Sequence, residues 1–453
     1  MTTAHEQYIR RLADEVRRTW RRMDAIWPAT DFAGLVLLVI DADGMRVIRT
    51  DGSVEQAPLS DFDRRALVSG RFANFGFTHH RGAHAPWIEI PADHFRTQAL
   101  DREYRSFPRS TYGFALITHE SFHHYRQDGW RDLGAAVSRI ERYPQDVEAR
   151  RQRLEMWTAL RGALLEPDRQ AEFLSAAAWW FQEWKLRSPD EVALVLDSDV
   201  REATAQYVDE AATVRAALGS RATADAIDRG YRRMVAQDLQ PSDVYTGSAD
   251  SEAYHAGSIA CMLLERYAHP TWQRDAEDGV PPLESLLGTR LGRPQRSSDL
   301  VDGLIEDRVA PRQRRIQAPM QDLMGELGTP GARFVVFEGL PATDGSFCSE
   351  GVFRVDGFDG VVFMPSLSGR YPLEDGHVNL DAAPVLTGVP GAACGLSEVA
   401  LALPIPDGAT LSGGRLAFRT SSVDVDVDID AIEHDHSGRE FLCVPSALSR
   451  ASR

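Results

Sequence analysis

The pentapeptide His119-Glu120-Ser121-Phe122-His123 narrows what this chain can become more than any other stretch. On a helix of 3.6 residues per turn, positions i and i+4 stand one above the other, so His119 and His123 can offer two imidazole nitrogens to a single ion. Glu120 lies one position on, about 100° round the helix, where its carboxylate flanks the ion and reaches a bound water rather than ligating. The surrounding residues favour that helix. No proline occurs from Tyr112 to Gln127, and Phe114, Ala115, Leu116, Ile117 and Phe122 supply apolar faces to bury it. The spacing therefore predicts a buried helix over 112–127 bearing part of a zinc site. The competing reading is a surface helix with solvated histidines, which the apolar flanks disfavour. His124, five positions after His119, points off the metal face and reads as a neighbour of the site or a surface residue.

The formal charge of −17 argues against nucleic acid or an anionic membrane surface as partner, because either requires a basic face. Residues 1–23 form an arginine-rich amphipathic helix without the apolar core of a signal peptide, and Glu6, Asp14 and Glu15 speak against a transit peptide. No run of about 18 apolar residues exists, so no membrane span is expected. Cys261, Cys348, Cys394 and Cys443 are scattered without C-x-x-C spacing, which indicates neither a cysteine metal site nor a disulfide framework. The expectation is a reducing, cytoplasmic setting.

A length of 453 residues suggests two or three domains. Leu35–Ile40 and Met45–Thr50 flank Asp41-Ala-Asp-Gly44 and read as a β-hairpin. Trp87–Ile90, between Pro86 and Pro91, reads as a short strand, and a sheet edge beside the metal helix would pair with an extended peptide. His79, His80 and His84 fall in a glycine-containing stretch and read as polar loop residues, since no carboxylate or cysteine completes a second metal set. From Arg131 to Ser188 the periodicity is helical apart from breaks at Pro144 and Pro167, and the aromatic cluster Trp179–Trp184 reads as core between packed helices. Further helices start at Asp199, Arg215 and Ala253. Around Gly328–Gly331 helical periodicity stops and short β-rich runs follow, among them Arg333–Phe337, Gly360–Met364 and Leu416–Arg419. Asp424, Asp426, Asp428 and Asp430 alternate with apolar residues and read as a solvated strand face, not a calcium loop. The expected organisation is α+β. Residues 1–110 give an N-terminal helix and small β-sheet, 111–328 a mainly helical catalytic domain, and 329–453 a C-terminal all-β, sandwich-like domain.

Two imidazoles leave a catalytic zinc one protein ligand short. After His123 come His124, Tyr125, Arg126, Gln127, Asp128, Gly129 and Trp130, so a third histidine close behind is absent and the ligand must come from further downstream. There, Arg201-Glu-Ala-Thr-Ala-Gln-Tyr-Val208 resembles the E-G-x-A-x-Y segment of the gluzincins, the thermolysin-like and aminopeptidase-like metallopeptidases. Together with His119-Glu120-x-x-His123, this resemblance implies a zincin-like fold with Glu202 as third ligand. Ala203 stands where those families carry glycine. The 79 residues from His123 to Glu202 require an insertion. Glu202 can alternatively close a capping box with Asp199 as N-cap, and Glu210 and Glu183 are substitute ligands. Tyr254-His-Ala-Gly257 resembles the Tyr-x-x-Gly segment of the aminopeptidase-like members, which implies Tyr254 as oxyanion donor, with His255 as the alternative that thermolysin-like members suggest. The Gly-x-Met-Glu-Asn motif for holding a free amine is missing, which removes the basis for aminopeptidase specificity.

The expected chemistry is Zn2+-dependent hydrolysis of a peptide or small amide. His119, His123 and Glu202 would hold the ion, Glu120 would act as base and then acid, and Tyr254 or His255 would stabilise the oxyanion. Two rivals are a zinc enzyme of the same fold acting on a specialised metabolite, and a non-catalytic zinc protein whose β domain binds a protein partner.

Overall fold

A computed structural model describes residues 4–41, 44–62, 74–90, 104–131, 140–294, 299–337, 344–348, 350–373, 375–388, 394 and 400–444. The chain forms two compact units. The first lies within residues 1–64, 69–138 and 147–305, and the described part of the second within 139–146 and 306–453.

The first unit opens with helix α1 (Ala4–Thr19), followed by a 3-10 turn over Trp20–Ala25. Tyr8, Leu12, Val16 and Trp20 recur at helical spacing and are buried, while Arg10, Arg17 and Arg21 face solvent. A small sheet has the order β3-β2-β1-β5-β4, built from β1 (Val36–Asp41), β2 (Gly44–Arg49), β3 (Val54–Ala57), β4 (Asn74–His80) and β5 (Ala83–Glu89). The expected β1–β2 hairpin is present, with Ile40 opposite Met45. The stretch read as a loop around His79, His80 and His84 is instead a second hairpin. Arg81 and Gly82 both take positive φ, as a two-residue hairpin turn of that hand requires, and His79 stands directly opposite His84. The predicted strand at Trp87–Ile90 begins earlier and runs through Pro86. It lies between β1 and β4, so the edge near the helices is β4.

The helical part holds α2 (Tyr112–Tyr125), α3 (Val147–Leu165), α4 (Gln170–Arg187), α5 (Leu196–Leu218), α6 (Ala224–Gln237) and α7 (Ala249–Arg266). Helix α5 is the axis of this unit, packing against α1, α2, α6 and α7. It is buried along most of its length because alanine, valine and threonine dominate it, leaving room for close neighbours. It starts before Asp199 and passes unbroken through Arg215, where a fresh start was expected, until Gly219 at φ +83° ends it. Helix α7 likewise starts before Ala253, on Ser248, whose side chain accepts from the Ser251 N–H. Gly257 allows α7 to lie directly on α5, since a Cβ placed there would sit 2.2 Å from the Ala203 Cβ.

The second unit comprises helix α8 (Ala310–Gly328), strand β6 (Ile140–Tyr143) and the C-terminal strands. These are β7 (Arg333–Phe337), β8 (Asp344–Cys348), β9 (Val352–Val355), β10 (Val362–Leu373), β11 (Gly376–Thr387), β12 (Leu401–Pro404), β13 (Thr410–Ser412), β14 (Arg415–Arg419), β15 (Val423–Asp428), β16 (Ala431–His434) and β17 (Glu440–Cys443). The described strands form one hydrogen-bonded system, with β13-β14-β15-β11-β12-β7-β17-β16 as its main path. Strand alternation sorts its two cores: Phe334, Val336 and Phe441 pack under Ile316, Met320 and Leu323 of α8, whereas Val335, Phe337 and Leu442 face the opposite cluster. The acidic strand face at β15 is paired with cations: Arg419 holds Asp424, and Arg415 holds Asp426 and Asp428.

One expectation fails here. Cys394 and Cys443 form a disulfide across 49 residues, contrary to the reading of four unpaired cysteines. Their spacing carries no signal because the sheet, not the local chain, brings them together, and the cysteine-based argument for a reducing compartment falls with it. Among the described residues, no helix is long and apolar enough to cross a membrane.

Candidate metal centre

Helix α2 is fixed before it presents any ligand. Its N-cap Thr111 accepts from the Phe114 N–H, and the buried Glu15 of α1 accepts from both the Thr111 N–H and its hydroxyl. Burial pushes the Glu15 carboxyl up to about 8, against the lowering pull of those Thr111 bonds. The Gly113 N–H donates to the Tyr8 hydroxyl at 3.0 Å, and Trp20 Nε1 donates to Thr118 Oγ1 at 3.1 Å. Apolar residues complete the seat, with Phe114, Ile117 and Phe122 fully buried.

On the face that α2 turns to α5, His119, His123 and Glu202 converge. The two Nε2 atoms are 3.0 Å apart, and Glu202 Oε2 lies 3.4 Å from the first and 3.2 Å from the second. A tetrahedral ion with bonds of about 2.0–2.1 Å has ligand–ligand edges of about 3.3–3.4 Å, close to this triangle. Among the described residues no other His, Cys, Asp or Glu joins this group. The alternative cap role of Glu202 is excluded, because Asp199 lies inside α5 and its carboxylate is taken by Arg153. Both substitutes lie elsewhere: Glu183 pairs with Arg187, and Glu210 accepts from Gln206.

The outer nitrogens of both rings are also engaged. Gln127 Nε2 donates to the Arg201 carbonyl and to Thr204 Oγ1, which fixes the amide so that its Oε1 accepts from His123 Nδ1 at 2.6 Å. With the proton on Nδ1, the lone pair of His123 Nε2 points at His119 and Glu202. His119 Nδ1 lies 2.9 Å from Asp209 Oδ2. Burial, followed by the charges of Glu210 and Glu120, pushes the Asp209 carboxyl up, and a cation on the far side of the His119 ring would oppose that push. Three electron-rich atoms this close call for positive charge among them. The His123 imidazole responds accordingly: burial works against its charged form, but Glu202 and then Glu120 outweigh it and raise its pKa. The donor set thus suits a divalent cation of the zinc class, with a carboxylate or amide oxygen behind each imidazole.

Tyr254 on α7 stacks on the His119 ring, with centroids 5.7 Å apart and planes 13° from parallel. His255, the alternative donor, stacks instead on the buried Trp157 at 5.3 Å. His124 leaves the metal face and stacks on Phe77 of β4 at 4.0 Å. The sequence reading missed Asp209 and Gln127. Both had a signal: Asp209 follows Glu202 by seven residues, two turns along the same face, and Gln127 follows His123 by four. Comparison with protein-family models, with curated proteins and with solved structures finds no match for this chain.

Proposed function

We propose that this protein is a zinc-dependent hydrolase cleaving peptide bonds, with a zincin-like helical unit of the gluzincin kind that the two motifs resemble. The observation that carries the reading is the convergence of His119 Nε2, His123 Nε2 and Glu202 Oε2 within 3.4 Å, with Gln127 keeping the His123 proton on the outer nitrogen. Three protein ligands among the described residues, rather than four, suit a catalytic site that keeps a position for water. When bound, Zn2+ supplies Lewis acidity and brings the pKa of its water towards neutrality.

The chain's own groups do the rest. Glu120, next to His119 on α2 and half-buried, takes the proton as water attacks the carbonyl and returns it to the leaving amine. Tyr254, against the His119 ring, is the donor for the developing oxyanion, a role the geometry favours over His255. Strand β4 pairs only with β5 among the described strands and meets α2 through Phe77 and His124, so its other edge suits an extended peptide.

A peptide-library digest followed by mass spectrometry tests this reading. Wild type should cleave, and Glu120→Gln should retain the metal while losing about 10²- to 10⁴-fold in rate. A metal-loaded wild type that cleaves nothing, or a Glu120→Gln variant as active as wild type, would overturn the hydrolase assignment.

A further inference from the structure

Away from the metal ligands, the first unit holds a cavity of about 730 Å³ where α1, the segment 106–110 and α6 meet the end of α5. Five arginines line it, namely Arg10, Arg11, Arg18, Arg109 and Arg233, against only two carboxyl groups, Asp14 and Glu15. This is unusual in a chain with 67 acidic and 50 basic residues. The two acids leave most of this charge uncompensated, and of the five arginines Arg18 has its carboxylate partner in Asp14. Asp14 is already paired with Arg17 and Arg18. Glu15 is buried against Thr111, and burial holds it largely uncharged near neutral pH.

Arg10, Arg109 and Arg233 have no carboxylate partner among the described residues, although they come from three separate elements. Each is exposed, so the guanidinium forks are open to a ligand. Like charges gathered round one cavity repel one another, and an anion relieves that repulsion. The wall is also built rather than loose. Asp238 accepts from the Arg105 N–H at 2.7 Å, from the Ser106 N–H at 3.2 Å and from the Ser106 hydroxyl, and Arg233 lies over the Phe107 ring at 5.5 Å.

We propose that this arginine-lined cavity binds an oligophosphate anion. Guanidinium forks match phosphate oxygens in pairs, and charge-assisted bonds from three arginines need a ligand with several anionic oxygens spread over more than one centre. A volume of this size accommodates a small organic phosphate or a diphosphate. The same segment continues through Ser110 into Thr111, the cap of α2, so an occupant would press on the start of the metal-bearing helix. The proposal does not depend on the hydrolase reading.

Isothermal titration of the full chain with inorganic pyrophosphate, at low salt in an amine buffer, tests it. One saturable site is expected, weakened about tenfold or more by each of Arg10→Ser, Arg109→Ser and Arg233→Ser, as charge-assisted bonds imply. Arg187→Ser, on α4 and outside the cavity, should bind as wild type, and circular dichroism confirms that each exposed variant is folded. His123→Ala should also bind unchanged, separating the cavity from chelation at the metal centre. Citrate and vesicles bearing phosphoinositide headgroups complete the comparison, and both are expected to bind more weakly than pyrophosphate. Absence of heat up to millimolar pyrophosphate, unchanged binding in the triple arginine variant, loss of binding in His123→Ala, or equal or tighter binding of citrate or vesicles would each overturn the proposal.

Discussion

Two buried polar clusters hang on helix α5, and they solve the same electrostatic problem in opposite ways. Towards its start, Asp199 meets Arg153 through two bonds of 2.6 and 2.8 Å, and Glu252 of α7 takes both Arg150 at 2.5 Å and Arg153 at 3.1 Å. Glu191 completes the set by accepting from Arg150 and from Trp184 Nε1. Both arginine side chains are fully buried, and the Trp184 ring lies 4.4 Å from the Arg153 guanidinium. One turn further on, Glu202 meets the Nε2 atoms of both histidines, and Asp209 lies against His119 Nδ1. A buried acid whose counter-charge is covalently part of the chain is an architectural element. On the proposed reading, a buried acid facing two imidazoles is a seat for a cation that arrives from outside.

The largest expected effect breaks the self-neutralised cluster. Arg153→Met should cost about 3–5 kcal/mol in urea unfolding, because Asp199 and Glu252 lose a fully desolvated partner. If the loss is below about 1 kcal/mol, the cluster is not what holds α3, α5 and α7 together. A wedge tests both clusters at once. Gly257→Ala puts a methyl group against Ala203, next to Glu202, and should destabilise by about 1–3 kcal/mol, with Ala203→Gly restoring most of it in the double variant. Failure of that rescue would mean the two helices do not touch at this point.

Asp209→Asn separates the clusters, since it should leave urea stability nearly intact while weakening metal affinity about 10- to 100-fold in competition with a chelating dye. Unchanged affinity would show that Asp209 does not support His119. A pH test concerns Glu15, whose carboxyl is raised by burial to about 8 from an ordinary value near 4.5. The folded state then binds the extra proton between those two values, so stability falls as pH rises through that window. Glu15→Gln should flatten this part of the stability–pH curve, and an unaltered slope would show that Glu15 is not its source.

The metal-facing half of this contrast was legible in the sequence, and the other half was not. His119 and His123 are set by a local period, whereas Glu202, 79 positions after His123, was reached only through the resemblance of 201–208 to the gluzincin segment. Asp209 obeys the same periodicity but bears on His119 only because α5 lies against α2, and that packing is a tertiary fact. Arg150 and Arg153 carry no such signal, since nothing in their local sequence says that carboxylates from α5 and α7 will enclose them. The strand-rich C-terminal region was visible in its alternation and turn residues. The Cys394–Cys443 pairing and the turn at Arg81-Gly82 were not, the first because it joins distant segments, the second because its glycine was taken as a loop marker. Tyr254 and His255 are adjacent in sequence and were indistinguishable there; helix phase alone sends one to His119 and the other to Trp157.

The most direct test of the central claim is the zinc content of the purified full chain by inductively coupled plasma mass spectrometry, with wild type beside His123→Ala, Glu202→Gln and Arg153→Met. The account expects about one zinc per chain in wild type, little or none in His123→Ala and Glu202→Gln, and normal content in whatever fraction of Arg153→Met remains folded. A folded wild type that holds no zinc after exposure to it, or a Glu202→Gln variant that holds as much as wild type, would contradict it.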